Sequence, residues 1–128
     1  MTGIQESLKS ENFRLRSYQT EAVKFLITHR RSILALAPGT GKTPVALSAL
    51  RDVGAQRTLV VCPKSVIRHW IDLAATWHPG LWVWNGTGTV KVRTTAREDA
   101  ALIRSAPSAL VINYESMRQD IEGLMAIS

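Results

Sequence analysis

Apolar residues along this chain fall into two alternating patterns. Four short runs are continuously apolar, and between them apolar residues recur every three or four positions. The runs occupy residues 33–37, 58–62, 81–84 and 109–112. Continuous runs predict strands that are buried on both faces, and the periodic stretches predict helices. Their alternation predicts an α/β fold with a mainly parallel sheet covered by helices on both faces.

Capping and breaking residues set the expected helix ends. Three helices are expected from a cap at Ser17 to Arg30 and Arg31, from residue 44 to Gly54, and from a cap at Ser65 to Pro79. Two more are expected over residues 96–105 and after residue 118. Residues 1–12 lack this periodicity and are expected to form a flexible lead-in, and residues 86–95 a mobile basic loop.

The length and charge of the chain narrow the class of protein. Its 128 residues suit one soluble globular domain. Sixteen Lys and Arg against ten Asp and Glu give a net charge of +6. This balance favours an anionic partner such as nucleic acid or nucleotide phosphates, although a solvated surface with a modest excess of arginine has the same composition.

Cysteine and histidine usage argues against disulfide and metal chemistry. Cys62 is the only cysteine, so the chain forms no internal disulfide, and a reducing cytoplasmic setting is the simplest interpretation. His29, His69 and His78 are scattered and have no spaced cysteine pair beside them. The sequence shows no signal peptide and no apolar run of membrane-spanning length.

The clearest chemical signal follows the first apolar run. Pro38-Gly39-Thr40-Gly41-Lys42-Thr43 stands between a predicted strand and a predicted helix, which is the order of a phosphate-binding (Walker A) loop. The glycines allow several N–H groups to face a phosphate chain, Lys42 reaches the β- and γ-phosphates, and the Thr43 hydroxyl binds Mg²⁺. Leu36 replaces the first glycine of the strict pattern, and Pro44 removes one N–H. The alternative is an ordinary strand-to-helix turn.

Two further turns follow predicted strands. Pro63-Lys64-Ser65 and Asn113-Tyr114-Glu115 come at the carboxyl ends of parallel strands, where ligands gather in such sheets. The glycines of residues 86–89 are expected to lack a strand–loop–helix setting, so they make a poor second phosphate site.

These segments together resemble the first motor domain of superfamily-two helicases, and most closely the Swi/Snf-related DNA translocases. Residues 15–19 are similar to the Q-motif, the phosphate loop to motif I, residues 58–70 to motif Ia, and residues 110–118 to the next nucleic-acid-contacting motif. The resemblance implies a three-layer RecA-like P-loop fold, present in part over residues 13–128, with ATP and Mg²⁺ as cofactors.

The resemblance also assigns roles to individual residues. It implies that Gln19 reads the adenine and that the turns after two strands contact the DNA backbone, duplex or single-stranded, without reading its sequence. The implied backbone contacts are Pro63, Lys64, Ser65, Asn113, Tyr114 and Arg118. Lys91 and Arg93 would extend this basic track or else remain solvated surface charges.

One part of the family pattern is missing from the sequence. The family's motif II is a strand that ends in Asp-Glu, and these 128 residues contain no Asp-Glu pair. The second motor domain is also absent, so little or no ATP hydrolysis is expected from this chain unless a separately encoded remainder of the motor supplies both. Two alternatives stay open: a non-enzymatic module that binds DNA or a partner, and a small phosphate-loop kinase.

Overall fold

A computed structural model describes residues 14–29, 31–36 and 41–127. The expected lead-in over residues 1–12 lies outside these described residues. The chain divides into two compact units, the first ending at Val53 and the second beginning at Gly54. The first unit contains helices α1 (Ser17–Thr28) and α2 (Lys42–Val53).

The second unit contains three strands and four helices among the described residues. In chain order they are β1 (Arg57–Val61), a 3₁₀ turn (Lys64–Val66), α3 (Ile67–Trp77), β2 (Trp82–Asn85), α4 (Val90–Leu102), β3 (Ser108–Ile112), α5 (Tyr114–Gln119) and α6 (Ile121–Ala126).

The two helices of the first unit pack through small apolar side chains. Ala22 and Val23 of α1 meet Val45 and Ala49 of α2 in one buried cluster, in which Val45 is fully buried. The buried face of α1 consists of Gln19, Ala22 and Val23. Tyr18 and Phe25, which the periodicity placed on the buried stripe with Ala22, are 39% and 42% exposed, so the predicted stripe is only partly buried. The observed α1 ends at Thr28 rather than at the two arginines.

The first predicted strand does not form over its described residues. Residues 33–36 carry no strand, and the Ile33 side chain is 89% exposed. Leu34 and Leu36 are partly buried against the helix cluster. This segment buries alternate side chains without a hydrogen-bonded neighbour, and a strand requires such a neighbour. The prediction of a strand at 33–37 is therefore wrong for residues 33–36, and Ala37 lies outside the described residues.

The sheet belongs to the second unit and has the order β1-β3-β2. Both β1 and β2 run parallel to β3, with Arg57 and Trp82 each opposite Ser108. All five β3 residues are buried because a strand lies on either side and helices cover both faces. The prediction of a parallel sheet built from apolar runs is confirmed.

Helices cover this sheet on two faces. Leu110 and Ile112 of β3 pack with Ala96 and Ala100 of α4 and with Leu124 of α6. On the opposite face, Val111 packs with Cys62 and with Ile67 of α3. Burial raises the pKa of the Cys62 thiol. The alternation of side chains along β3 thus produces two apolar layers, and the second unit is a helix–sheet–helix sandwich.

Several helix ends differ from the sequence predictions. Helix α4 begins at Val90, not at residue 96, because Thr89 caps it: the Val92 N–H donates to Thr89 Oγ1 at 3.3 Å. Residues 90–95 are therefore helical, and the predicted mobile loop is shorter than expected. Ser17 is the first residue of α1 rather than its cap. Ser65 lies inside the 3₁₀ turn, and α3 starts two residues later.

Candidate functional site

Gln19 joins the start of α1 to the end of the predicted phosphate loop. Its side chain is buried, with 7% exposure. Its Oε1 accepts a hydrogen bond from the Arg16 N–H at 2.8 Å, and its Nε2 donates to the Gly41 carbonyl at 3.3 Å. The amide therefore fixes the residue that immediately precedes Lys42. Sequence reasoning assigned Gln19 to this region but did not foresee the bond to Gly41.

Gly41 has a backbone conformation and surroundings that suit glycine. Its φ is +81°, in the left-handed region where other residues are strained. A Cβ at this position would overlap the Nε2 atom of Gln19. The close approach of amide and backbone therefore depends on the missing side chain.

Lys42 and Thr43 open helix α2, directly after this glycine. Both residues belong to the first turn of the helix, where N–H groups have no helical partner. The Lys42 side chain is exposed, and the Thr43 side chain is half-buried. Pro44 also fits the first turn, since its missing N–H would be unpaired there in any case. The other predicted loop residues, Pro38, Gly39 and Thr40, lie outside the described residues.

The carboxyl ends of the three strands lie along one edge of the sheet. Beyond β1, the Cys62 N–H donates to the Ile112 carbonyl at 3.0 Å, and beyond β2 the Gly86 N–H donates to the Val111 carbonyl at 2.9 Å. The turns that follow β1 and β3 therefore start from the same edge. The structure brings the two predicted backbone-contact segments, residues 63–65 and 113–114, to this edge.

The residues predicted to contact the DNA backbone differ in their exposure to solvent and in their hydrogen bonds within the chain. Lys64 and Ser65 are exposed on the 3₁₀ turn, as is Pro63 before it. Asn113 is half-buried, and its Oδ1 accepts the Ser116 N–H at 3.1 Å, which caps α5. Tyr114 is 54% exposed, and Arg118 is exposed in the last turn of α5.

Sequence reasoning missed the third turn on this edge. Residues 86–89 lead from β2 directly into α4, so the expectation that these glycines lack a strand–loop–helix setting is wrong. Asn85 Oδ1 accepts hydrogen bonds from the N–H and the hydroxyl of Thr87, at 3.1 and 2.6 Å, and shapes the turn. Thr89 could have indicated the helix that begins at Val90, because threonine is a common residue at helix N-caps.

A partly buried ionic cluster joins α4 to the connection between α5 and α6. Arg93 Nε donates to Asp120 Oδ2 at 2.8 Å and Nη2 donates to Oδ1 at 3.2 Å, while Arg97 Nη1 lies 3.5 Å from Oδ2. The three side chains are only 11–15% exposed. The hydrogen bond to Asp120 raises the pKa of Arg93, and the attraction of the carboxylate adds to the rise while desolvation opposes it.

This cluster changes one sequence interpretation. Arg93 Nη1 also donates to the Gly88 carbonyl at 2.9 Å, so the guanidinium holds both the turn after β2 and the α5–α6 connection. Arg93 is thus a structural residue and does not extend a basic track. Lys91 remains exposed on α4.

Neither a metal cluster nor a membrane-spanning helix is present among the described residues. Within residues 14–29, 31–36 and 41–127, no group of three His, Cys, Asp or Glu side chains is placed to hold a metal ion. Thr43 offers one hard oxygen, which suits Mg²⁺ only if phosphate and water oxygens complete the coordination. No helix in the described part of the chain is long and apolar enough to cross a bilayer.

Comparison with known proteins gives a consistent picture. Residues 12–72 match the family model described as "Type III restriction enzyme, res subunit". The DNA 3'-5' translocase XPB2 of Sulfurisphaera tokodaii is 32% identical over 101 residues, which cover 77% of this chain and 23% of that protein. The probable ATP-dependent DNA helicase CHR12 of Arabidopsis thaliana is 29% identical over 119 residues, covering 86% of this chain and 11% of that protein.

A third relative extends the same similarity. The DNA excision repair protein ERCC-6-like of Danio rerio is 30% identical over 120 residues, which cover 87% of this chain and 8% of that protein. This chain spans less than a quarter of the length of each of these relatives. The matches support the resemblance to superfamily-two helicases as a family, and the small parallel sheet is consistent with a partial RecA-like helicase domain. The individual motifs stay predictions.

Proposed function

We propose that this chain is the ATP-binding portion of a Swi/Snf-type DNA-dependent ATPase, a DNA translocase or helicase. The observation that carries the proposal is the hydrogen bond from Gln19 Nε2 to the Gly41 carbonyl. It connects the segment that resembles the Q-motif to the end of the phosphate loop, just before Lys42. Two segments 22 positions apart in sequence are thus held together, as a shared nucleotide site requires.

ATP is proposed to bind at the start of α2. The exposed Lys42 ammonium would reach the β- and γ-phosphates, and the Thr43 hydroxyl would be one ligand of Mg²⁺. The positive end of α2 favours the phosphate charge, with Pro38, Gly39, Thr40 and Gly41 supplying the loop. Gln19 is proposed to read the adenine while it also holds Gly41.

The carboxyl edge of the sheet is proposed to contact the DNA backbone. Lys64 adds positive charge beside the exposed turn of Pro63 and Ser65, and Tyr114, Asn113 and Arg118 continue this surface beyond β3. Contacts of this kind position a strand through its phosphates and carry no sequence information. The net charge of +6 favours the same partner.

Hydrolysis is proposed to require residues that this chain does not contain. The sequence has no Asp-Glu pair to hold Mg²⁺ and orient the attacking water as motif II does. The remaining part of the motor is proposed to supply them. Without it, the chain would act as a non-enzymatic module that binds ATP and DNA.

Two titrations, one with an ATP analogue and one with DNA, test the two proposed binding sites. A fluorescent ATP analogue with Mg²⁺ should bind the wild-type chain and bind Lys42→Ala roughly tenfold or more weakly, because a charge-assisted phosphate contact is lost. Lys24→Ala removes another exposed charge, from α1, and should leave the affinity for the ATP analogue unchanged. In the DNA arm, Lys64→Ala should reduce the salt dependence of binding by about one counterion.

Three results would count against the proposal. Equal affinity of Lys42→Ala and Lys24→Ala for the ATP analogue would show that Lys42 does not contact the phosphates. DNA binding that does not weaken as salt rises would show that the chain does not contact the DNA phosphates. DNA-stimulated phosphate release that depends on Lys42 would show that the isolated chain is a complete ATPase.

A further inference from the structure

Asn85 and Gly86 stand at the end of strand β2 and form a chemically labile pair. The chain has three asparagines, at positions 12, 85 and 113, and only Asn85 is followed by glycine. Asparagine is a thermolabile residue, because a backbone nitrogen that attacks its side-chain carbon Cγ closes a five-membered succinimide ring and releases ammonia. Glycine has no side chain, so the nitrogen of residue 86 meets little steric resistance in this attack. The sequence at the end of β2 is therefore prone to deamidation.

The folded chain holds the attacking nitrogen away from this reaction. The Gly86 N–H donates to the Val111 carbonyl at 2.9 Å, which continues the pairing of β2 with β3. The nitrogen must lose its proton before it attacks, and the loss would leave a negative nitrogen beside a carbonyl oxygen. Gly86 is buried, so water does not screen this repulsion. Ring closure therefore requires the end of β2 to separate from β3.

The fold explains why both residues of this labile pair are present. Asn85 Oδ1 accepts the N–H and the hydroxyl of Thr87, and these two bonds shape the turn that leads into α4. A Cβ at Gly86 would lie 2.5 Å from Ile112 Cγ2 and 2.9 Å from Leu110 Cδ1, both in the buried core. A larger residue at position 86 would push against the central strand. The pair is thus a consequence of how closely the end of β2 packs on β3.

We infer that Asn85 is a deamidation site that reacts when the end of β2 separates from β3. In the open state hydroxide removes the proton of the Gly86 nitrogen. The nitrogen then attacks Asn85 Cγ, and the side-chain nitrogen leaves with a proton from water as ammonia. Because the Asn85 side chain is exposed, water reaches the ring and cleaves it. The net reaction consumes one water, releases one ammonia and replaces the amide by a carboxylate.

The two ways of cleaving the ring have different consequences for the fold. Cleavage between the nitrogen and Cγ gives aspartate, which keeps the main chain and an oxygen that accepts the Thr87 donors. Cleavage between the nitrogen and the backbone carbonyl carbon gives isoaspartate, which routes the main chain through Cγ and adds one methylene to it. The register that pairs Asn85 with Val111 cannot be kept on both sides of that extra atom. Isoaspartate therefore traps the open state, and the damage accumulates in chains that open often.

Long incubation followed by peptide mapping tests the inference. The purified chain is kept at one mildly alkaline pH in buffer and in denaturing urea, and the peptide that contains Asn85 is analysed by mass spectrometry. Deamidation raises its mass by about 1 Da, and chromatography separates isoaspartate from aspartate. The folded chain should react roughly tenfold or more slowly than the unfolded chain, because only its open fraction reacts. Asn113, which precedes Tyr114, is the internal control and should react far more slowly than Asn85 in urea.

Three variants separate strand opening from other causes. Leu110→Ala loosens the core against which Gly86 packs, so it should raise the rate in buffer roughly tenfold or more and leave the rate in urea unchanged. Ile33→Ala changes an exposed residue of the first unit and should react like the wild type. Asn85→Gln keeps an amide at the site, but its attack would need a six-membered ring, so this peptide should stay unmodified over the same time.

Several results would overturn the inference. Equal rates in buffer and in urea would show that the bond to Val111 gives no protection, and no reaction in urea would show that Asn85 is not labile. A product that contains aspartate but no isoaspartate would mean direct hydrolysis without the Gly86 nitrogen. Equal rates for Leu110→Ala and the wild type in buffer would exclude strand opening as the controlling step. If Leu110→Ala does not fold, low urea concentrations applied to the wild type replace it, and a rate that does not rise with urea would be equally contrary.

Discussion

The two compact units contain the same sequence pattern but realise it differently. In the first unit an apolar run and a glycine-rich turn precede α2, and the run forms no strand over residues 33–36. In the second unit similar runs precede α3, α4 and α5, and each is a strand. A helix satisfies its own hydrogen bonds, whereas a strand needs a partner. Helical periodicity therefore suffices in both units, and apolar runs become strands only where neighbours exist.

The units also differ in how they hold their turns. In the second unit backbone bonds from Cys62 and Gly86 to the end of β3 hold the turns, and the Asn85 and Arg93 side chains add bonds within the turn after β2. In the first unit the described bond to the loop comes from a side chain, the Gln19 amide. A turn fixed by a sheet should tolerate side-chain changes, whereas a turn fixed by one amide should be sensitive to them.

Truncation of apolar side chains should show the largest difference between the units. Leu110→Ala empties a buried position of the central strand and should lower the free energy of unfolding by about 2–5 kcal/mol. Ile33→Ala changes a side chain that is 89% exposed and should stay within about 0.5 kcal/mol. Urea unfolding followed by far-UV circular dichroism measures both variants. A comparable loss in Ile33→Ala would mean that residue 33 belongs to a buried strand after all.

Loss of one carboxylate should have a smaller effect that is confined to the second unit. Asp120→Asn keeps the side-chain shape but removes the charge that pairs with Arg93 and Arg97, and should lower the melting temperature by roughly 5 °C. Asp72→Asn is the matched change, since Asp72 pairs with Arg68 on the exposed surface of α3. It should lower the melting temperature by about 1 °C. Equal shifts in thermal melts would show that burial of the cluster is unimportant.

Much of this architecture followed from the sequence because its signals are local. The parallel sheet, a helix after the glycine-rich turn and the position of residues 63–65 and 113–114 at the carboxyl ends of strands depend on apolar runs and on the turns after them. The cluster of Arg93, Arg97 and Asp120 could not be predicted, since its members are up to 27 positions apart. The absence of a strand at 33–36 also depends on neighbours, which a single apolar run does not reveal.

The smallest predicted difference in stability is between variants of two glycines, Gly41 and Gly54. Both have positive φ, +81° and +69°, so alanine at either should cost about 1–2 kcal/mol in backbone strain. Only Gly41 faces a neighbour, Gln19 Nε2, whereas a Cβ at Gly54 meets open space. Gly41→Ala should therefore also weaken the proposed ATP binding, measured with the fluorescent analogue, and Gly54→Ala should not. Because Gln19 is also proposed to read the adenine, adding Gln19→Ala to Gly41→Ala should weaken ATP binding further; no further loss would mean that Gln19 acts only through its contact with Gly41.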